Sequence, residues 1–378
     1  MKNNPDIFFF FPLAGIGGTE KAHIDIVKAL KKYARRVYIR YKGNVWKGFD
    51  YAQTQKAHDE GTALFDEFNM HCKTIFLSEL FEAESLAQYK RPYFIKRIAR
   101  KINSSKNPIV IFWHFQSIKE VLSLLNENVK LIDIIHNLNP SDNDDLDYLN
   151  ISLFNRLNHR IAISDSLKTE IIAAYETQNI PEIYQQKISV IPHAVPIPEP
   201  VNKTDTGKLN ILFVGRNAYE KRLDLWLEIA NNCSDFANFT IVGPETEKLK
   251  ANRSISVVGP ITDNTKLNEY YAQSHLLMLT SLSEGFPKTI AEGMAYGCVP
   301  LTTNVGGISD FVKNNENGIL VENKDEAFVI NEMSRIINEL YHQKDRLQKL
   351  SVNSYQSAID HFSFENFKTK WLETIENV

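Results

Sequence analysis

Short runs of consecutive apolar residues recur along the chain, each followed by a longer amphipathic stretch, and a single proline-rich segment interrupts the rhythm. In the first half the runs are Ile7 to Leu13, Arg36 to Tyr41, Ile109 to His114, Leu131 to His136, His159 to Ser164 and Ile188 to Pro192. Strands alternating with helices in this way form a parallel sheet wrapped by helices. Glu20 to Tyr33 sets Ala22, Ile26, Ala29 and Leu30 on one helical face at spacings of three and four, suited to packing on that sheet. Residues 192 to 207 hold four prolines among polar residues and cannot continue a helix or a central strand, so they read as an interdomain linker. The pattern then restarts with Leu209 to Val214, Phe239 to Val242, Ile255 to Val258, His275 to Ser281, Cys298 to Thr303 and Gly318 to Val321. A chain of 378 residues, 43% hydrophobic, exceeds one ordinary core and suits two α/β domains. The expected fold class is therefore α/β, with two doubly wound parallel-sheet domains at 1–195 and 207–355 and a cleft between them. The helical tail, residues 360–378, is long enough to pack back on the first domain.

Charge and cysteine content narrow the function classes. A formal net charge of -3 gives no general case for nucleic acid, which needs a basic excess over a whole face. Cys72, Cys233 and Cys298 are scattered and odd in number, which indicates neither a disulfide framework nor a zinc knuckle and suits a reducing cytoplasm. The apolar run after Asp6 is short and broken at both ends, so it reads as a first strand rather than a leader. No segment approaches the roughly 20 apolar residues of a membrane span. Any membrane contact is expected to be peripheral, at the inner face.

The stretch from Leu276 to Gly297 is the most informative. A strand runs into a turn containing Gly285, then a helix opens at about Thr289, with Pro287 suited to its first turn and Gly297 to its stop. Helix-start amides and the helix dipole attract a diphosphate. Glu284 and Glu292 both face a ligand seated there, and their carboxylates accept hydrogen bonds from sugar hydroxyls. The run Glu284-Gly285-Phe286-Pro287-Lys288-Thr289-Ile290-Ala291-Glu292 resembles the E-x7-E signature of the retaining glycosyltransferases of family GT4, which share the two-domain GT-B fold.

Other motifs fall in the family's order. Gly215, Arg216 and Lys221 leave the first strand of the second domain, where two cations converge on the crevice beyond the strand ends and neutralise a departing diphosphate. They resemble the family's G-R-x4-K segment, in which Lys221 begins the following helix and a glycine often follows. Arg222 stands at that glycine's position here. Val258, Gly259 and Pro260 match the segment that passes the nucleotide base, and Gly306-Gly307 with Asn317-Gly318 complete the resemblance over the second domain.

In the first domain, Gly15-Ile16-Gly17-Gly18-Thr19-Glu20 invites a dinucleotide fingerprint, but the sixth position is Glu20, which brings a carboxylate toward a pyrophosphate. Gly17 and Gly18 instead resemble the family loop whose main chain closes over the donor diphosphate. His136 matches the family's histidine near the donor sugar, with His114 and His193 as weaker candidates. Ser164 reads as a helix cap. The D-x-D strings within Ser141 to Asp147 read as a solvated loop rather than a metal site. Lys90 to Lys101 interleaves cations with aromatic and aliphatic residues, a pattern shared by surface helices and by helices resting on anionic headgroups.

The resemblance implies a retaining, metal-independent glycosyltransferase without cofactor. Its N-terminal domain takes a carbohydrate or glycolipid hydroxyl acceptor, and its C-terminal domain binds a nucleotide-sugar donor, with UDP favoured. Glycolipid or surface-polysaccharide synthesis is the expected setting, and His136, Glu284, Arg216 and Lys221 are the expected catalytic groups. In the donor site they are joined by Gly17, Gly18, Gly215, Val258, Gly259, Pro260, Gly285, Phe286, Pro287, Lys288, Thr289 and Glu292. The competing readings are a GT-B-like epimerase or phosphorylase and a non-catalytic nucleotide-sugar-binding subunit. A dehydrogenase ranks below both because of Glu20.

Overall fold

The structure, a computed structural model, describes residues 4–15, 17–41, 62–78, 87–113, 115–138, 153–203, 207–244, 246, 249, 255–261 and 263–378. Two compact units emerge: Met1–Pro192 with Phe367–Val378, and His193–Asn366. The boundaries fall near the expected 195 and 360, with the proline-rich segment belonging to the second unit. Val195 bridges to Ser363, Tyr355 donates its hydroxyl to the Pro198 carbonyl at 2.7 Å, and the Lys203 ammonium reaches the Tyr271 carbonyl at 3.3 Å.

The first unit is built on a seven-stranded sheet. Its strands are β1 (Ile7–Phe11), β2 (Ala34–Ile39), β3 (Thr74–Phe76), β4 (Ile109–Trp113), β5 (Lys130–Ile135), β6 (His159–Ala162) and β7 (Ile188–Val190), ordered β3-β2-β1-β4-β5-β6-β7. Every pairing is parallel. All five residues of β1 are fully buried, as a central strand covered on both faces requires. Phe8 and Phe10 enter a core with Tyr38, Val110, Phe112 and Leu131, while Phe11 stacks on His23 from the other face at 4.0 Å. The helix α1 (Gly18–Ala29) buries Ala22, Ile26 and Ala29, the expected inner face. Cross-strand neighbours Asp133 and Arg160 form a buried ion pair, with Nη2 to Oδ2 at 2.6 Å, and Arg160 also donates to the Tyr175 hydroxyl at 2.8 Å. The apolar runs do not announce β3, because three residues on a sheet edge are too few to show a period.

The second unit carries β8 (Leu209–Val214), β9 (Ala237–Val242), β10 (Ile255–Gly259), β11 (Leu276–Leu279), β12 (Val299–Thr303) and β13 (Ile319–Val321), a six-stranded sheet ordered β10-β9-β8-β11-β12-β13. Its core centres on fully buried Trp226, whose ring meets Phe213 and Phe239 edge-on and whose Nε1 donates to the Met278 carbonyl at 3.1 Å. Both sheets reverse direction beside their first strand, the doubly wound order with a switch point between β1 and β4 and another between β8 and β11. Each unit is Rossmann-like.

Candidate functional site

Open parallel sheets bind ligands beyond their carboxyl ends at the switch point, because the crossovers leave in opposite directions there. In the second unit that point lies between β8 and β11, and the expected residues flank it. After β8 the chain passes Gly215 and Arg216 and makes one 3-10 turn, Tyr219–Lys221. After β11 it passes buried Thr280 and Ser281 and reaches Glu284. The Lys221 ammonium lies 2.5 Å from Glu284 Oε1, and Ser281 donates its hydroxyl to the same oxygen at 2.6 Å. A main-chain bond from the Leu282 amide to the Glu220 carbonyl, 2.7 Å, ties the two loops together.

Lys221 does not begin a helix, as the motif implies. Arg222 intervenes in the left-handed region, φ 46° and ψ 53°, and helix α6 starts at Leu223 (Leu223–Asn232; α2 to α5 are Phe65–His71, Ala87–Asn103, Phe115–Leu122 and Asp165–Thr177). Glycine adopts this conformation without cost, whereas a long side chain needs compensation. Arg222 supplies it through a buried guanidinium that donates to Thr280 O at 2.7 Å, Ser281 O at 3.2 Å and Asn323 Oδ1 at 2.7 Å. Thr280 answers by donating to the carbonyls of Lys221 and Arg222, both at 2.9 Å. The arginine thus pins the lysine's turn to the loop that leads from β11 to Glu284. Arg216 is placed differently from the expectation of two converging cations. Its side chain is 66% exposed and pairs with Glu220 at 2.6 Å, so Lys221 is the cation that meets Glu284.

Beyond β11, Pro287 is the N-cap of the helix Lys288–Ala295, just before the expected first-turn position, with no side chain capping it. The helix ends in a Schellman motif: Cys298 N–H donates to Gly293 O and Gly297 N–H to Met294 O, with Gly297 at φ 67°. Lys288 is buried and Glu292 half-buried. Glu292 Oε2 accepts the Tyr271 hydroxyl at 2.8 Å. Phe286 turns inward against Phe311 and Phe362, so only its main chain is available to a ligand. Gly306, at φ 55°, lies so close under Glu284 that an added Cβ would sit 1.6 Å from the Glu284 carbonyl oxygen, and Gly307 N–H donates to Gly285 O. At the end of β10, Val258 is half-buried and Pro260 exposed. Gly259 accepts from the Gly243 amide at 2.9 Å, and Gly243 in turn approaches Gly215, where a Cβ would fall 1.7 Å from its carbonyl oxygen.

In the first unit, Gly17 is the N-cap of α1 in extended conformation and Gly18 its first residue. The Glu20 carboxylate folds back onto Gly17, occupying the space 2.2 Å from where a Cβ would stand. His136 follows β5 and is buried, its Nε2 3.0 Å from Nε2 of His23, and Trp113 packs edge-on against it. With Nε2 facing Nε2, one ring donates and the other accepts. Ser164 caps Asp165–Thr177 by accepting from the Leu167 amide at 3.2 Å. The basic segment lies on helix α3, which runs from Ala87 through Pro92 rather than starting after it. Its Lys90, Arg91, Lys96, Arg97, Arg100 and Lys101 are exposed, while Ile98, Ala99 and Ile102 are buried. His114 and the acidic run Ser141 to Asp147 lie outside the described residues. Among the described residues no group of three or more His, Cys, Asp or Glu side chains is placed to hold a metal ion, and no helix is long and apolar enough to cross a membrane.

Residues 208–339, which contain Gly215, Arg216, Lys221, Glu284 and Glu292, match the family described as Glycosyl transferases group 1. Over that stretch the chain is similar to the group 1 glycosyltransferases. It is 23% identical over 346 residues, 85% of its length, to the UDP-N-acetylglucosamine--peptide N-acetylglucosaminyltransferase GtfA subunit of Streptococcus pneumoniae, of which the match spans 66%, just under two thirds. It is also 23% identical to an uncharacterized glycosyltransferase of Haemophilus influenzae, with 92% of this chain and 95% of that one covered. The solved structure of Anabaena HepE in complex with UDP-glucose superposes with a TM-score of 0.74 at 16% identity, covering 98% of this chain and 100% of that one, which establishes the two-domain GT-B fold.

Several residues that shape the two units escape sequence reading. His23 carries a signal, a histidine beside Ala22 on the apolar face of α1, but its partner is 113 residues away. Tyr271 carries none, since nothing local distinguishes a tyrosine facing a carboxylate from a core tyrosine. Gly243 stands in a Gly-Pro pair that reads as an ordinary turn.

Proposed function

We propose that this glycosyltransferase moves a sugar from a UDP-sugar to a hydroxyl acceptor with retention of configuration and without a divalent cation. The observation that carries this reading is the Lys221–Glu284 pair at the switch point of the second unit. A bound diphosphate would meet the Lys221 ammonium, the positive end of the helix Lys288–Ala295 and the main chain of Gly285 to Thr289, with Arg216 swinging from Glu220 to add a second cation. These positive groups offset the charge that grows as the anomeric C–O bond breaks, the task a metal performs in other transferases. The acceptor hydroxyl attacks from the face the leaving diphosphate vacates.

By the resemblance, Glu284 holds the donor sugar and Glu292 the ribose, and Gly215, Val258, Gly259 and Pro260 border the base through their main chain. In the first unit the resemblance assigns donor-binding roles to Gly17 and Gly18 and a catalytic one to His136. The choice of UDP is supported by the UDP-N-acetylglucosamine in the name of the pneumococcal relative and by the ligand in the HepE structure. The exposed cations of α3 favour an acceptor presented at an anionic lipid surface, as in glycolipid or surface-polysaccharide synthesis. A thermal-shift screen of nucleoside diphosphates and their sugars, repeated in chelator, tests the donor reading. UDP and a UDP-sugar raise the midpoint equally with and without chelator. Stabilisation by NAD alone contradicts the reading, and stabilisation that vanishes in chelator contradicts metal independence.

A further inference from the structure

Tyr271 projects from helix α7 (Asn264–Gln273) onto the helix that carries Glu292. Its side chain is 1% exposed, its hydroxyl donates to Glu292 Oε2 at 2.8 Å, and its ring lies nearly parallel to Tyr296, 17° between planes. The residue is anchored at its backbone as well, since its carbonyl accepts from the Cys298 thiol at 3.1 Å and from Lys203 at 3.3 Å. Burial, then the charge of Glu292 and the bond to it, push the phenol well above its ordinary range, so the phenol keeps its proton and remains a donor. A buried phenol that can only donate, held by its ring and its backbone, fixes the plane of the carboxylate it meets. Among the described residues Glu292 Oε1 has no hydrogen-bond partner, and Glu292 itself is half-buried. One oxygen is thereby engaged by the protein, and the other is held in one orientation.

We propose that Tyr271 is a positioning residue that aims Glu292 at the ribose hydroxyls of the donor nucleotide and so sets the preference for a ribonucleotide over a deoxynucleotide. The inference rests on the reading of Glu292 as the ribose-binding carboxylate and goes beyond it by assigning the group that orients that carboxylate. A structural tyrosine would affect all ligands alike. A positioning tyrosine affects only the ligand that has the hydroxyls, because a hydrogen bond to a carboxylate is weakened when that carboxylate must be ordered on binding.

The test is a set of calorimetric titrations of UDP and 2′,3′-dideoxy-UDP into wild type, Tyr271→Phe and Glu292→Ala, with unfolding midpoints recorded for each protein. Wild type is expected to prefer UDP by about tenfold or more, and Glu292→Ala to bind the two nucleotides alike. Tyr271→Phe is expected to weaken UDP by about fivefold or more while leaving the dideoxy nucleotide unchanged. If Glu292→Ala abolishes the preference but Tyr271→Phe retains it in full, the inference is overturned and the ribose reading stands. A Tyr271→Phe variant that weakens both nucleotides equally overturns it too. If Glu292→Ala keeps the preference, the ribose reading itself fails, and the inference with it.

Discussion

Lys221 and Glu284, 63 residues apart in sequence, meet at 2.5 Å across the switch point of the second sheet. Their side chains are 17% and 9% exposed, so the pair is held largely out of water at the point where the two crossovers diverge. On the proposed function, a diphosphate bound there would compete with Glu284 for the ammonium. Lys221→Ala is accordingly expected to lower kcat/KM by at least about 100-fold while the protein stays folded, as steady-state kinetics and circular dichroism would show. Undiminished turnover would remove Lys221 from the site.

Arg222 offers a test of how the turn is built. Substitution by glycine keeps the left-handed backbone free of strain but loses the guanidinium's three bonds, whereas alanine loses the bonds and adds the strain. Urea unfolding is expected to rank wild type above Arg222→Gly and Arg222→Gly above Arg222→Ala, the last by about 1 kcal/mol, with total losses on the order of 3 kcal/mol. Equal stability of the three would show that the buried bonds contribute nothing.

Gly306 supports Glu284 from below. Any Cβ there collides with the Glu284 carbonyl, and the φ of 55° adds strain. Gly306→Ala is expected to cost at least about 2 kcal/mol in denaturant unfolding and to weaken donor binding as the Glu284 loop shifts. A variant with unchanged stability and affinity would contradict this placement.

Much of this architecture is legible in the sequence, because strands buried on both faces leave unbroken apolar runs and because Glu284 and Glu292 sit in one continuous motif. What is hidden depends on distance along the chain. The meeting of Tyr271 with Glu292 and of His23 with His136 is produced by tertiary packing and has no local signature. Arg222 shows a subtler limit: a side chain stands where the motif prefers glycine, and only its three buried acceptors explain how the turn survives. Phe286 shows the reverse, a residue inside the motif whose ring serves the core through Phe311 and Phe362.

Burial lowers the His159 imidazole below its ordinary value of 6.5, with Lys168 and Lys187 adding to the effect, and the ring exchanges a 2.8 Å hydrogen bond with Ser189. The folded state therefore favours neutral His159, and the unfolded chain binds more protons below pH 6.5. This contribution to stability is fully present above the unfolded pKa and is lost as pH falls through 6.5 toward the lowered folded value. Urea titrations at pH 7.5 and 5.5 should show a loss of stability on acidification that is smaller in His159→Gln. An identical loss in both proteins would assign the acid sensitivity to other groups.

The site as a whole is tested most directly by a crystal structure of the protein with UDP. The β-phosphate is expected within hydrogen-bond distance of the Lys221 ammonium and of the main chain at the start of the helix Lys288–Ala295, with Glu292 Oε1 on the ribose. UDP bound elsewhere on the chain, with Lys221 still closed on Glu284, would contradict the account.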